Sequence, residues 1–339
     1  MGDQTKDATM QRIVCFGEAL IDFLARPTQA PDEPRAFLQY AGGAPANVAV
    51  AVARLGGRAD FVGMLGADMF GDFMLESLRA ARVGVDYSLR TDAARTALAF
   101  VALDAEGERS FSFYRPPAAD LLFRAEHYQA ECFVDAAAFH VCSNSLTEDA
   151  IAATTLQGVA RARAAGMLVS FDMNLRPALW PHDADPHARL WDVLKEADLV
   201  KLARVELDYL AEPLGDERGV MARLWEGQAK VVIVTDGAAP IRWFTRDAAG
   251  QVASFRVRAL DTTAAGDAFV GGLLYRLAER HVDGAGLSSF VRDAESVEGA
   301  LRFAAAVGGL TVTRHGAFAA MPALAEVEQL LREQYEHAA

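Results

Sequence analysis

Asp261-Thr262-Thr263-Ala264-Ala265-Gly266-Asp267 decides the reading of this chain, because small, backbone-exposing residues stand directly before an acid that opens an apolar helix. From Ala268 the sequence runs Ala-Phe-Val-Gly-Gly-Leu-Leu-Tyr-Arg-Leu-Ala, rich in helix formers, so the free N–H groups of Ala265 and Gly266 fall at a helix start. Helix starts bind anions, since unpaired amides and the helix dipole both favour negative charge there. An acid at Asp267 is either a plain helix cap or a base facing a hydroxyl that approaches a bound phosphoryl group. The heptapeptide alone leaves both readings open.

Upstream, strand-like and helix-like segments alternate for most of the 339 residues, the pattern of an α/β chain whose mostly parallel sheet carries helices on both faces. The spacing predicts strands over 12–16, 61–65, 136–142, 167–171, 199–202 and 230–235. It predicts helices over 44–55 and 72–81, and a helical stretch before each of the four later strands. Two segments break the rhythm. Residues 97–103 and 109–114 flank Asp104-Ala105-Glu106-Gly107-Glu108 as a hairpin, and a hairpin inserted in a parallel α/β chain is a candidate lid. Residues 241–245 and 252–257, joined through Asp247-Ala248-Ala249-Gly250, read as a second hairpin. The organisation expected is a disordered N-terminal extension over 1–10 with Met10 an alternative start, one domain over 11–325 with a lid from about 33–41 and 95–116, and a C-terminal helix or tail over 326–339.

With 52% hydrophobic residues, the chain has ample material for a core. Its formal charge of −13 argues against nucleic acid as a partner, which asks for a basic face, so an anionic substrate must meet a locally positive site. Cys15, Cys132 and Cys142 are odd in number and lack metal-ligand spacing, as expected of reduced core thiols in a cytoplasmic protein. No apolar run has the length of a membrane span, and residues 1–11 are polar rather than of signal-peptide type.

Four further motifs stand at strand ends or helix starts, where open α/β sheets place their ligands. Gly17-Glu18-Ala19-Leu20-Ile21-Asp22-Phe23 leaves the first strand, and Asp22 there is either a solvated loop acid or an acceptor for sugar hydroxyls. In Gly42-Gly43-Ala44-Pro45-Ala46-Asn47, two glycines let a ligand approach the backbone before a helix opens with an amide on its first turn. Asp172-Met173-Asn174-Leu175-Arg176-Pro177 brings an acid, an amide and a guanidinium to one strand end, a set suited to phosphate, sugar or a water-coordinated metal. Lys201 with Glu206, and Thr235-Asp236-Gly237, follow the next two strands, where nucleotide phosphates or ribose would lie close to the chain.

Together these motifs resemble the ribokinase-like carbohydrate kinases of the PfkB family, with the likeness running over about 11–322 and closest to bacterial fructokinases. The two family signatures correspond to 42–47 and 261–267, and the fructokinase likeness rests on 17–23 and on Phe113-Tyr114-Arg115-Pro116-Pro117-Ala118-Ala119-Asp120. The resemblance implies a ribokinase-like fold with a small β-sheet lid, and Asp267 as catalytic base beside an anion hole at Ala264, Ala265 and Gly266. By the same likeness Asp22, Gly42, Gly43, Asn47, Tyr114, Arg115 and Arg176 would contact the sugar, and Lys201, Thr235, Gly237, Ala265, Gly266 and Ala305 the ATP. Glu206 would hold Mg²⁺ through water, and a monovalent cation, K⁺, would lie in a loop of main-chain oxygens at Asp261, Thr263, Thr311, Arg314 and Gly316. A homodimer through the lid is expected from its open strand edge.

The chain departs from the family pattern at four places. Ala264 replaces a frequent glycine, Ala203 a frequent asparagine or serine, Pro240 the second glycine of a Thr-x-Gly-x-x-Gly loop, and Ala305 offers adenine no polar side chain. The activity expected is ATP-dependent phosphorylation of a primary hydroxyl, with D-fructose first and 2-keto-3-deoxygluconate, ribose or a nucleoside behind it. A non-catalytic sugar sensor would use the same pocket. A dinucleotide oxidoreductase is disfavoured, because no Gly-x-Gly-x-x-Gly joins a first strand to a helix.

Overall fold

The structure is a computed structural model that describes residues 10–26, 34–103 and 109–336. In chain order the first half comprises β1 (Arg12–Phe16), β2 (Leu20–Ala25), β3 (Phe37–Gly42), α1 (Ala44–Arg54), β4 (Ala59–Gly66), α2 (Met69–Ala80), β5 (Ser88–Thr91), β6 (Leu98–Leu103), β7 (Arg109–Tyr114), β8 (Ala136–Cys142) and α3 (Asp149–Ala164). The second half comprises β9 (Leu168–Asp172), α4 (Pro186–Leu194), β10 (Leu199–Ala203), α5 (Arg204–Ala211), α6 (Glu217–Glu226), β11 (Val231–Thr235), β12 (Ile241–Phe244), β13 (Ala249–Val252), α7 (Ala265–Glu279), α8 (Leu287–Phe290), α9 (Ala294–Thr311) and α10 (Leu324–Glu336).

The main sheet is ordered β13-β12-β11-β10-β9-β8-β1-β4-β5. Every neighbour pair from β11 to β5 is parallel, while β12 and β13 add an antiparallel edge. Strand alternation sorts the core into two layers. Ile13 and Cys15 of β1 face the layer that holds α1, α7 and α9, whereas Val14 and Phe16 face the layer under α3 to α6. On this second face Phe16 meets Phe123 and Tyr128 at ring-centroid distances of 5.2 and 5.1 Å. The mostly parallel α/β fold expected from the alternation is therefore present.

A second sheet, ordered β3-β2-β6-β7, stands apart from the first. Its strand β2 lies where the sequence analysis drew no strand, and the reason is tertiary: Ile21 to Leu24 pair in parallel with Leu98 to Val101, far along the chain. The β6–β7 pairing runs Leu98↔Tyr114 to Leu103↔Arg109, and the turn expected at 104–108 lies outside the described residues, as do 1–9 and residue 33 of the expected lid.

Two expected elements are corrected. The hairpin after β11 returns through Ala249–Val252 and not 252–257, because the Thr245 hydroxyl accepts from the Ala248 amide while the Thr245 amide donates to the Ala248 carbonyl, closing the turn early. Between β7 and β8 the described residues form no α-helix. Three short 3₁₀ turns over 119–133 tuck Leu121, Phe123, Tyr128 and Phe133 into the core at spacings a 3.6-residue period does not fit.

Small residues let α1 and α7 pack closely. A Cβ at Gly271 would lie 2.5 Å from the Ala51 methyl and 3.0 Å from the Val48 carbonyl oxygen. The two helix starts, at Gly43 and at Gly266, thereby come to the same end of the sheet, above the carboxyl ends of its parallel strands.

Candidate active site

Asp267 sits on the first turn of α7, 8% exposed, with its carboxylate gripped by amides. Asn47 Nδ2 donates to Oδ2 at 2.8 Å, and Asn174 Nδ2 donates to Oδ1 at 3.5 Å. Burial, helped by the nearby Asp172 charge, pushes the acid up to about 7, against the pull of Asn47, Arg176 and Lys201. Such a group accepts a proton near neutral pH, the property asked of a general base.

Backbone geometry prepares the amides beside it. Ala264 adopts φ 59°, ψ 11°, the left-handed conformation that favours glycine, and this turns the chain into α7. The Ala265 amide leans back to the Thr262 carbonyl at 3.4 Å, whereas those of Gly266 and Asp267 have no acceptor among the described residues. The free pair is thus shifted one residue from the pair expected. Lys201 reinforces the positive character: a Cβ at Gly266 would lie 3.1 Å from its ammonium nitrogen. That ammonium is buried and pairs with Asp172 at 3.0 and 3.2 Å. Burial works against its charge, but Asp172 and Glu206 outweigh it and hold the group above the usual lysine range.

Two clefts meet at this helix start. The larger, about 750 Å³, is lined by Asp22, Gly43, Asn47, Arg176, Ala264 and Asp267, and also by Glu18, Asn144, Asn174 and His315. Gly43 has φ 104°, and a Cβ there would strike the Glu18 carbonyl oxygen at 2.6 Å, so only glycine fits the step into α1. Asp22 projects from β2 across Gly42, where a Cβ would fall 2.1 Å from its Oδ2. The second cleft, about 400 Å³, is lined by Thr235, Gly237, Ala265, Gly266, Phe269 and Ala305, with Phe255, Val257 and Val312. It is mostly apolar, as the alanine at 305 leads one to expect.

Several expected residues stand elsewhere than in a cleft. Tyr114 is 67% exposed on the edge of the second sheet, with its ring against Phe100 at 5.3 Å. Arg115 is 2% exposed and bound to Asp120 at 2.6 and 2.8 Å, and it does not line the large cleft. Both oxygens of Glu206 accept main-chain N–H groups, of Leu175 at 2.8 Å and of Ala203 at 2.6 Å. In the expected cation loop Asp261 is buried and accepts from the amides of Thr263 at 2.8 Å and Gly316 at 3.1 Å. Thr311 donates its hydroxyl to Val307, and Arg314 pairs through its side chain with Glu326.

Sequence reasoning passed over Glu18 and Asn144. Glu18 was visible as a polar residue at a strand exit, but nothing local marks it as 1% exposed. Asn144 lies in a short turn after β8 with no motif around it.

This pairing of an acid near neutrality with a helix start, between a polar and an apolar cleft, is that of a phosphotransferase, and the comparisons agree. The profile of the pfkB family carbohydrate kinases matches residues 10–324. The chain belongs to the pfkB family of carbohydrate kinases. Fructokinase-1 of Zea mays is 42% identical over 329 residues, covering 96% of this chain and 99% of the plant protein. Among solved structures, the fructokinase of Xylella fastidiosa with bound ATP superimposes with a TM-score of 0.93 at 59% identity, over 96% of this chain and 99% of that one. The fructokinase of Vibrio cholerae O395 in its fructose, ADP and calcium ion bound form gives 0.82 at 33% identity, over 95% and 99%. In this pfkB kinase the two family signatures are the starts of α1 and α7, and the Asn47–Asp267 hydrogen bond joins them.

Proposed function

We propose that this chain is an ATP-dependent fructokinase, in which Asp267 takes the proton of a primary hydroxyl as that oxygen attacks the γ-phosphorus of ATP. The observation that carries the reading is the placement of Asp267, with its raised proton affinity, where the polar and the apolar cleft meet. As the new P–O bond forms, the bond from the γ-phosphorus to the bridging oxygen breaks and ADP leaves with the electron pair. Phosphoryl transfer asks the protein chiefly for positioning and charge neutralisation. The amides of Gly266 and Asp267 and the Lys201 ammonium supply these at the transferred group, where each preorganised donor contributes on the order of 3 kcal/mol.

Neutral sugar is favoured over an acid sugar by the charges around the larger cleft. Glu18, Asp22 and Asp267 line it, against the exposed Arg176 on the same wall. Of the two arginines that could meet a sugar carboxylate, Arg115 is spent on Asp120, which leaves Arg176 against the three acids. Hydroxyls can donate to acids, whereas a second carboxylate would be repelled.

The residues fit a divalent ion that travels with the nucleotide. Asp172 and Glu206, both buried and both close enough to Lys201 to raise its proton affinity, are oxygen donors of the kind a hard divalent ion takes. Asp172 and Glu206 would be its outer contacts, and it would neutralise phosphate charge. The loop ordered by Asp261 suits K⁺, held by main-chain oxygens near Thr263, Thr311, Arg314 and Gly316. Phe37, Leu38 and Tyr114, exposed on the outer strands β3 and β7, suit pairing of two lids in a homodimer, which sedimentation would read. No described helix is long and apolar enough to cross a membrane, and we place the enzyme in the cytoplasm with its ATP.

The test is ADP release with ATP and a panel of fructose, 2-keto-3-deoxygluconate and ribose. Fructose should give the highest kcat/KM. Preference for the acid sugar would overturn the fructose assignment and leave the kinase standing, and a sugar-induced melting shift without ADP would make the protein a sensor.

A further inference from the structure

Glu18 is an acid without a task in the reaction as described, yet it is fully buried on the wall of the larger cleft. Burial raises its proton affinity, against the influence of Arg115 and the Asn144 amide. One oxygen, Oε1, accepts both the main-chain N–H of Ala44 at 3.2 Å and Asn144 Nδ2 at 2.8 Å. The first bond ties down the start of α1, next to Gly43 and three residues before Asn47. The second decides which way the Asn144 amide faces.

With its NH₂ given to Glu18, Asn144 is left with Oδ1 buried and without a partner, on a residue that itself lines the cleft. Asn47 repeats the arrangement: its Nδ2 goes to Asp267, and its Oδ1 is likewise buried and unpartnered. A buried carbonyl oxygen without a donor carries a desolvation penalty, and a ligand hydroxyl would relieve it. Through the main chain of Asn144 the network continues outward, since the Thr147 hydroxyl donates to the Asn144 main-chain carbonyl at 3.5 Å and accepts from Arg115 at 3.3 Å, directly after β7.

We infer that Glu18 is a positioning residue for sugar recognition: it fixes the Asn144 amide so that Oδ1 accepts a sugar hydroxyl, and holds the start of α1 in register with it. The inference rests on the sugar-kinase reading. Loss of a buried hydrogen bond to substrate should appear in the sugar KM and leave the ATP KM in place.

The experiment measures fructose KM, ATP KM, kcat and melting temperature of the full chain in four forms: wild type, Asn144→Ala, Asn144→Asp, and Asn144→Asp combined with Glu18→Gln. Asn144→Ala should raise fructose KM about tenfold, the effect of one lost buried hydrogen bond. Asn144→Asp sets a carboxylate against Glu18 and should do more harm. Adding Glu18→Gln supplies an amide donor to the new acid and should recover most of the fructose KM. A double variant no better than Asn144→Asp, or a folded Asn144→Ala with unchanged fructose KM, overturns the inference. So does a loss that falls equally on ATP KM and melting temperature. If wild type releases no ADP with any sugar, the fault lies with the kinase reading instead.

Discussion

The two clefts that meet at the start of α7 are built by opposite means. The larger draws on both sheets and two helix starts, and its wall carries three acids and three amides, whereas the smaller takes apolar side chains and glycines from the main sheet's edge and α9. A wall of buried acceptors discriminates strongly, because a ligand that lacks one hydroxyl leaves a polar group unpaired. An apolar slot holds a flat ring by contact and asks less of its edges. With sugar in the larger cleft and nucleotide in the smaller, as proposed, selectivity for the sugar would be stored in hydrogen-bond geometry, and nucleotide binding in shape and in the amides of α7.

The sharpest way to break this comparison is Asp267→Asn. Turnover should fall by about a hundredfold or more while ATP affinity stays near wild type, since the amide keeps its place between the clefts without accepting a proton. Retained turnover would remove Asp267 from the mechanism. In the wild type, kcat/KM should rise with pH through about 7 as Asp267 loses its proton. The sign for stability is opposite. Between the ordinary carboxylate range and about 7 the folded state holds a proton that the unfolded state has released, so stability falls as pH rises through that window. At pH above this window Asp267→Asn should therefore melt no lower than wild type, which calorimetry at two pH values would check.

Asp22→Ala comes next in size. It removes an acceptor from the polar cleft alone and should raise fructose KM by roughly tenfold, the equivalent of about 1–3 kcal/mol, with ATP KM unmoved. Equal losses for both substrates would show that the clefts are not separable. Arg115→Ala would not test sugar affinity, because the guanidinium is the buried partner of Asp120. The smallest effect is expected for Ala264→Gly: relief of a left-handed alanine worth about 1 kcal/mol is offset by the greater backbone entropy of glycine, so melting temperature and rate should both stay close to wild type.

The sequence displays the groups of this site better than their partners. Asp267, Asn47, Gly43 and Asp172 stand at strand exits or helix starts, positions that periodicity and glycine placement reveal. Strand β2 escaped because its pairing with β6 spans more than seventy residues, and the alternation in Leu-Ile-Asp-Phe-Leu-Ala is too slight to betray it. Arg115 was expected at the sugar and Glu18 was passed over for a common reason. A charged residue in a sequence is assumed to meet solvent or ligand, and only the folded chain shows that one is neutralised by Asp120 and the other is clasped by Ala44 and Asn144. Likewise the Gly-Pro exchange near 240 is visible in sequence, but not that Ala265 surrenders its amide to Thr262.

The contact between Gly271 and Ala51 has a reach beyond packing. It lies one turn along α7 from Asp267 and one turn along α1 from Asn47, on the sides where the two helices touch. Because each helix is stiff over so short a span, the thickness of matter at that crossing acts as a ruler for the separation between Asp267 and Asn47. A single added methyl would pry the two apart like a shim. The 2.8 Å bond between Asn47 and Asp267 is thus set partly from a place that lines neither cleft.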